Sequence, residues 1–114
     1  MRRHYRHFLE DIIEHCDKSQ EFIKDLSLEK FFEDEKTYYA TVSALEIIGE
    51  AIKHIPEEIK LKYPEISWYK ITGFRNMVIH EYFGIDREIV WNAAKINTIF
   101  LKDQISKILE DINE

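Results

Sequence analysis

Four side chains between residues 67 and 86 carry most of the chemistry this sequence offers: Arg75, Asn76, His80 and Tyr82. An imidazole with an unperturbed pKa of about 6.5 exchanges protons close to neutrality and serves as general base or general acid. A guanidinium stays charged throughout and presents a planar fork to an oxyanion such as phosphate. An amide like that of Asn76 orients either partner. On a wheel turning about 100° per residue, Trp68, Ile71, Phe74, Val78, Ile79 and Tyr82 fill one broad apolar arc, and Arg75 falls inside it. Asn76 and His80, four residues apart, share one shoulder of that arc beside Gly73. An arginine at a core-facing position needs a carboxylate, a phosphate or a cleft to offset its desolvation. The plainer reading is that its stem packs on the core while its head reaches water. A single histidine is equally compatible with a surface position, and Tyr82 with simple core packing. What singles out the segment is the convergence of Arg, Asn and His near one helix end.

On an ideal helix Arg75 and His80 point about 140° apart. They meet at one ligand if Arg75 curls round the helix, or if two chains each contribute a helix to a shared cleft, which predicts a homodimer with a two-fold axis near the site. The positioning element is a helix from an N-cap at Ser67, with Ile66 and Ile71 as its hydrophobic staple, to about Phe83, with Gly84 as its stop.

Around it the sequence predicts an all-α chain. A first helix covers about Arg3 to Asp25, with Phe8, Ile12, Cys16, Ile23 and Leu26 near a helical period, and Ser27 to Glu33 is a connector or a short turn of helix. A second helix starts at the Asp34 cap, within the acidic run Glu33-Asp34-Glu35 that complements the dipole, and runs to Ile55 before Pro56. Gly49 inside it costs about 1 kcal/mol relative to alanine, which implies close approach of another helix. Pro56 to Lys62 forms a short third helix closed by Tyr63-Pro64. The last helix, capped by Asp86 with Ile85 and Val90 as staple, runs to Ile112. Four long helices, one short one and brief connectors make an up-and-down bundle, a single domain over residues 1–114.

Composition narrows the function. The chain has 114 residues, 45% hydrophobic and 33% charged, with only three Gly and two Pro, which suits a helical globular domain. Cys16 is the single cysteine, pointing to a reducing compartment. With no signal-peptide h-region and no apolar run long enough to span a bilayer, the expected location is the cytoplasm, away from membranes. A net charge of −6 speaks against generic nucleic-acid binding, so any RNA contact must come from a local patch. Lys60, Lys62, Lys70 and Arg75 form one candidate, and Arg2, Arg3 and Arg6 add charge at the N-terminus. His4 and His7 lack carboxylates or cysteines at ligand spacing, so neither metal nor cofactor is expected; His15 and His54 read as solvated, and Glu50 is the candidate partner for Arg75.

The stretch Ser67-Trp68-Tyr69-Lys70-Ile71-Thr72-Gly73-Phe74-Arg75-Asn76-Met77-Val78-Ile79-His80-Glu81-Tyr82-Phe83-Gly84-Ile85-Asp86 resembles the signature of the HepT-like HEPN family. That signature is an Arg, a polar residue, three more residues and a His, then one residue and a Tyr. The run Ala44-Leu45-Glu46-Ile47-Ile48-Gly49-Glu50-Ala51 is similar to the family's second helix. The resemblance implies a HEPN-like fold and a metal-independent endoribonuclease acting as a homodimer, the toxin of a toxin–antitoxin pair. It implies Arg75 and His80 as catalytic residues and Asn76 as a substrate-positioning residue. It also implies a minimal nucleotidyltransferase antitoxin of the MntA type, which transfers AMP to Tyr82. RNA brings its own nucleophile, the 2′-OH, so these residue types suffice: His80 for proton transfer and Arg75 for charge on the phosphorane. Two alternatives stand beside this reading. One is a non-catalytic partner of a nucleotidyltransferase that holds a nucleotide in the same cleft; the other is a purely structural helical dimer.

Overall fold

The computed structural model describes residues 4–72 and 87–112, and every regular element among them is helical. Helix α1 (Tyr5–Ile23) begins at His4, whose Nδ1 accepts from the Arg6 amide at 3.0 Å. It ends two residues short of the expected Asp25. Of the two forms expected for residues 27–33, a connector or a short turn of helix, the second is found as helix α2 (Leu28–Glu33), where the Ser27 side chain accepts from the Lys30 amide at 3.2 Å and closes the first turn.

Asp34 caps α3 (Glu35–Lys53) as its position in the sequence predicts. One carboxylate oxygen accepts from the Thr37 amide at 3.0 Å and the other from the Thr37 hydroxyl at 2.7 Å. These two bonds hold the Asp34 carboxyl below the usual carboxylate range. Helix α3 stops at Lys53, with His54 as C-cap, rather than at Ile55. Helix α4 (Glu57–Lys62) follows Pro56. Helix α5 starts at residue 68 and is described through residue 72.

Helix α6 (Arg87–Asn92) runs into α7 (Thr98–Ile112) through a π-helical turn, Ala93–Asn97. Asn92 and Thr98, which bound the turn, both keep right-handed helical dihedrals, so the helix passes through it unbroken. The Thr98 amide donates to the Ala93 carbonyl, five residues back, and the Ala94 carbonyl is left to other donors. The Gln20 amide nitrogen on α1 supplies one, and the Thr98 hydroxyl supplies another at 2.6 Å. The same Gln20 nitrogen donates to Thr98 Oγ1 at 2.5 Å and to the Lys95 carbonyl at 3.3 Å.

Helix α1 packs chiefly on α3 and α7. Their shared core holds Leu9, Ile12 and Cys16 of α1, Ile48 and Ile52 of α3, and Ile105 and Ile108 of α7, with Phe31 of α2 and Val90 of α6 closing it. Leu9 takes the place expected for Phe8, which stays partly buried and stacks on the His54 ring at 4.6 Å. Gly49 is buried, in keeping with the close helix approach its presence implies. Ser19, Thr41 and Thr98 are buried hydroxyls, and each donates to a carbonyl within its own helix, so none is stranded in the core. Burial keeps the Cys16 thiol neutral, raising its pKa from 9.0 to about 12. His15 departs from expectation: its ring is largely buried and its Nδ1–H donates to the Asp11 carbonyl at 2.8 Å. No helix among the described residues is long and apolar enough to cross a membrane.

Candidate functional site

Residues 73–86 lie outside the described residues, and with them Arg75, Asn76, His80, Tyr82 and the expected caps Gly84 and Asp86. The structure describes the two anchors between which that segment is strung. At the first, the Ser67 carbonyl accepts from the Ile71 amide at 3.2 Å, which opens α5 where the sequence predicts. Ile66 is buried and Ile71 packs against the core, the two halves of the expected staple. Trp68 fixes the helix against α4: its indole N–H is shared between the Lys60 carbonyl at 3.2 Å and the Tyr63 carbonyl at 3.1 Å. Tyr69 donates to Glu57 at 2.7 Å, and that bond raises the Tyr69 hydroxyl above its ordinary pKa. Tyr63 in turn donates to Asp111 at 2.5 Å, which pushes its hydroxyl to about 12 and ties the α4–α5 turn to the end of α7.

At the second anchor, Arg87 is the first described residue of α6. Its guanidinium lies 4.1 Å over the Tyr38 ring, donates to the Phe32 carbonyl at 3.5 Å and faces Glu35 at 3.9 Å. Tyr38 meets Phe31 edge-on at 5.9 Å, and Phe31 leans on Trp91 at 5.3 Å. Burial raises the Tyr38 hydroxyl pKa, against the opposing effect of Arg87. The first described turn of α6 is therefore held to the α2–α3 corner by a cation on an aromatic cluster.

Beside the first anchor opens a cleft of about 600 Å³. One wall is α3 (Leu45, Ile48), another is the start of α5 (Ser67, Lys70, Ile71), and the third is the π-turn with the first turn of α7. Lys70, one of the basic residues that the sequence places near the motif, is on this wall. Asn97 and Gln104 supply amides there that sequence reasoning missed; their only signal is a polar position beside an apolar stripe. Ile96, Ile99 and Phe100 stand 48%, 56% and 66% exposed along the helix that forms the third wall.

Among the other expected residues, His7 pairs with Glu10 at 3.3 Å. Glu50 pairs with Lys53 at 3.9 Å and with His54 at 3.4 Å, while its proposed partner Arg75 is outside the described residues. Among the described residues no group of three or more His, Cys, Asp or Glu is placed to hold a metal ion.

The profile of the family described as Ribonuclease HepT-like matches residues 12–108. A Methanocaldococcus jannaschii protein named "Putative RNase MJ0125" is 39% identical over 99% of this chain and 97% of its own length. The protein named "Probable ribonuclease HepT" in Thermococcus cleftensis is 40% identical over 95% of this chain and 98% of its own length. A Caldanaerobacter subterraneus protein named "Putative RNase TTE0752" is 38% identical over 92% of this chain and 94% of its own length. No solved structure is a significant match. With the family profile matching residues 12–108 and relatives near 40% identity over nearly their full length, the chain belongs to the HepT-like ribonuclease family.

Proposed function

We propose that this protein is a metal-independent endoribonuclease, the toxin of a toxin–antitoxin pair. The observation that carries the reading is the set Arg75, Asn76, His80 and Tyr82, in family order and spacing, in a chain of the HepT-like family. In the proposed reaction the RNA 2′-oxygen attacks the adjacent phosphorus while His80 accepts its proton. The 5′-oxygen then leaves with a proton from a general acid, giving a 2′,3′-cyclic phosphate and a 5′-hydroxyl. Arg75 holds the non-bridging oxygens as charge builds on them, and Asn76 orients the phosphate.

A homodimer supports this chemistry. On an ideal helix Arg75 and His80 would point about 140° apart, so two chains lining one cleft would complete the set, and their two His80 side chains would divide the acid and base roles. The exposed Ile96, Ile99 and Phe100 beside the cleft are an apolar surface of the kind a second copy covers. A minimal nucleotidyltransferase of the MntA type is the proposed antitoxin. The Tyr82 hydroxyl attacks the α-phosphorus of ATP, pyrophosphate leaves, and the attached AMP sets bulk and negative charge beside Arg75 and His80.

The net charge of −6 favours a second reading, a non-catalytic module that holds a nucleotide for a nucleotidyltransferase. RNA cleavage in EDTA by purified unmodified protein and by His80→Ala, with product ends identified, separates the two. Cyclic-phosphate ends that vanish in the variant support the ribonuclease. Equal cleavage by both proteins refutes the role of His80, and cleavage by neither favours the module.

A further inference from the structure

The π-turn at Ala93–Asn97 is costly by itself, since π-helical hydrogen bonding is rare and appears mostly as single inserted turns near functional sites. Here it is supported from outside its own helix. Gln20 of α1 directs its two amide hydrogens at the Ala94 carbonyl, which the Thr98 amide passes over for Ala93, and at the Thr98 hydroxyl, with the Lys95 carbonyl a longer, shared acceptor at 3.3 Å. Gln20 itself does not line the cleft. It lies in a separate depression with Asp17, Glu21, Lys24, Lys95 and Lys102. The π-turn does line the cleft: Ala93, Ile96, Asn97 and Thr98 are on its wall, followed by Phe100 and Leu101. One inserted residue rotates everything downstream by about 100° relative to an unbroken α-helix. The direction in which Ile96 and Asn97 point, relative to Phe100 and Gln104, is therefore set by whether the turn is kept.

We propose that Gln20 is a positioning residue for RNA cleavage: by pinning the π-turn from the α1 side, it sets the cleft wall that faces the start of the motif helix. The inference rests on the ribonuclease reading and adds to it a residue that never touches RNA. Its mechanism is that of a misplaced wall. If the turn relaxes to α-helix, the side chains facing Lys70 and Ile71 change, and whatever seats in the cleft is held in a different place. A displacement of that kind costs on the order of 10–100-fold in rate at a site whose chemistry depends on alignment.

The test uses the full chain with Gln20→Met, which keeps volume without donors, and Gln20→Lys, which restores donors at the same place. Cleavage of a single-stranded RNA is measured well below each variant's thermal midpoint, and helix register over 93–98 is read from backbone NMR shifts. The expected result is a kcat/KM about tenfold or more lower for Gln20→Met, with α-helical shifts at 93–98, and recovery of both in Gln20→Lys. Activity equal to the unsubstituted protein in Gln20→Met, with His80→Ala inactive, overturns the positioning role and leaves the ribonuclease reading intact. Retention of the π-turn shifts in Gln20→Met overturns the structural half of the proposal, even if no form of the protein cleaves RNA. A Gln20→Lys variant that is folded yet as impaired as Gln20→Met also overturns it, since the donors are then not what matters.

Discussion

Replacing Trp68 by phenylalanine tests how the motif helix is anchored. Trp68 is 4% exposed and its indole N–H is shared by two carbonyls, of Lys60 and Tyr63. Neither carbonyl depends on it alone. Lys60 O also accepts from the Tyr63 amide at 3.2 Å, and Tyr63 O from the Ile66 amide at 3.2 Å. Losing the indole therefore removes one hydrogen-bonding donor without orphaning an acceptor, a loss of about 1 kcal/mol rather than a full desolvation penalty. The smaller ring forfeits roughly another 1 kcal/mol of apolar burial. Trp68→Phe should thus cost about 2 kcal/mol and Trp68→Ala about 3–5 kcal/mol. For a chain of 114 residues each kcal/mol lowers Tm by roughly 4 °C, so the expected falls are about 8 °C and about 12–20 °C. Urea denaturation with an unchanged m value is the check on the free energies. A Trp68→Phe cost equal to that of Trp68→Ala would refute the argument, because it would make the hydrogen bonds, not the ring, the main contribution.

Ile105→Ala, at a fully buried position of α7, should cost about 2–5 kcal/mol by urea denaturation. Arg87→Ala should lower stability by about 1 kcal/mol through loss of the contact over Tyr38, and Arg87→Lys should recover only part of it by the same measurement. The Cys16 thiol ionises at 9.0 when exposed and at about 12 in the fold, so the folded state retains the proton longer. Its contribution is intact below pH 9 and is lost as pH rises towards 12, and Cys16→Ala should flatten that alkaline fall in stability. A thiol-reactive dye at pH 8 should accordingly label Cys16 only as fast as the protein unfolds. Phe100→Glu should shift a dimer towards monomer in sedimentation, since a charge at that exposed ring cannot be buried against a second copy.

Local chemistry made much of the fold readable. Asp34 opens α3 because a capping side chain acts on an amide three positions away, Ser67 stands directly before α5 where a capping residue type is expected, and Pro56 bounds α4 for equally local reasons. The features that escaped depend on contacts distant in sequence. Gln20 reaches a carbonyl 74 residues away, so nothing in its neighbourhood distinguishes it from other polar helix residues. The π-turn leaves no mark either, because Ala93 to Thr98 reads as ordinary amphipathic helix. His15 looked solvated because its sequence neighbours are charged, whereas its ring turns back to the Asp11 carbonyl. The motif was legible by residue type and order, while the cleft beside it is a product of three elements that come together only in the fold.

The placement of the tryptophans gives the molecule its own optical probes. The chain has two, Trp68 before the 73–86 segment and Trp91 after it. Both are buried, but in different surroundings. One is bonded to backbone carbonyls of the α4–α5 turn; the other rests on Phe31 beneath the Lys95 ammonium, 4.8 Å from its ring. Replacing either leaves a single emitter at one known end of the motif segment. Titrating RNA, nucleotide or a protein partner against each single-tryptophan form would then show which end senses the ligand, without a label attached anywhere near Arg75 or His80.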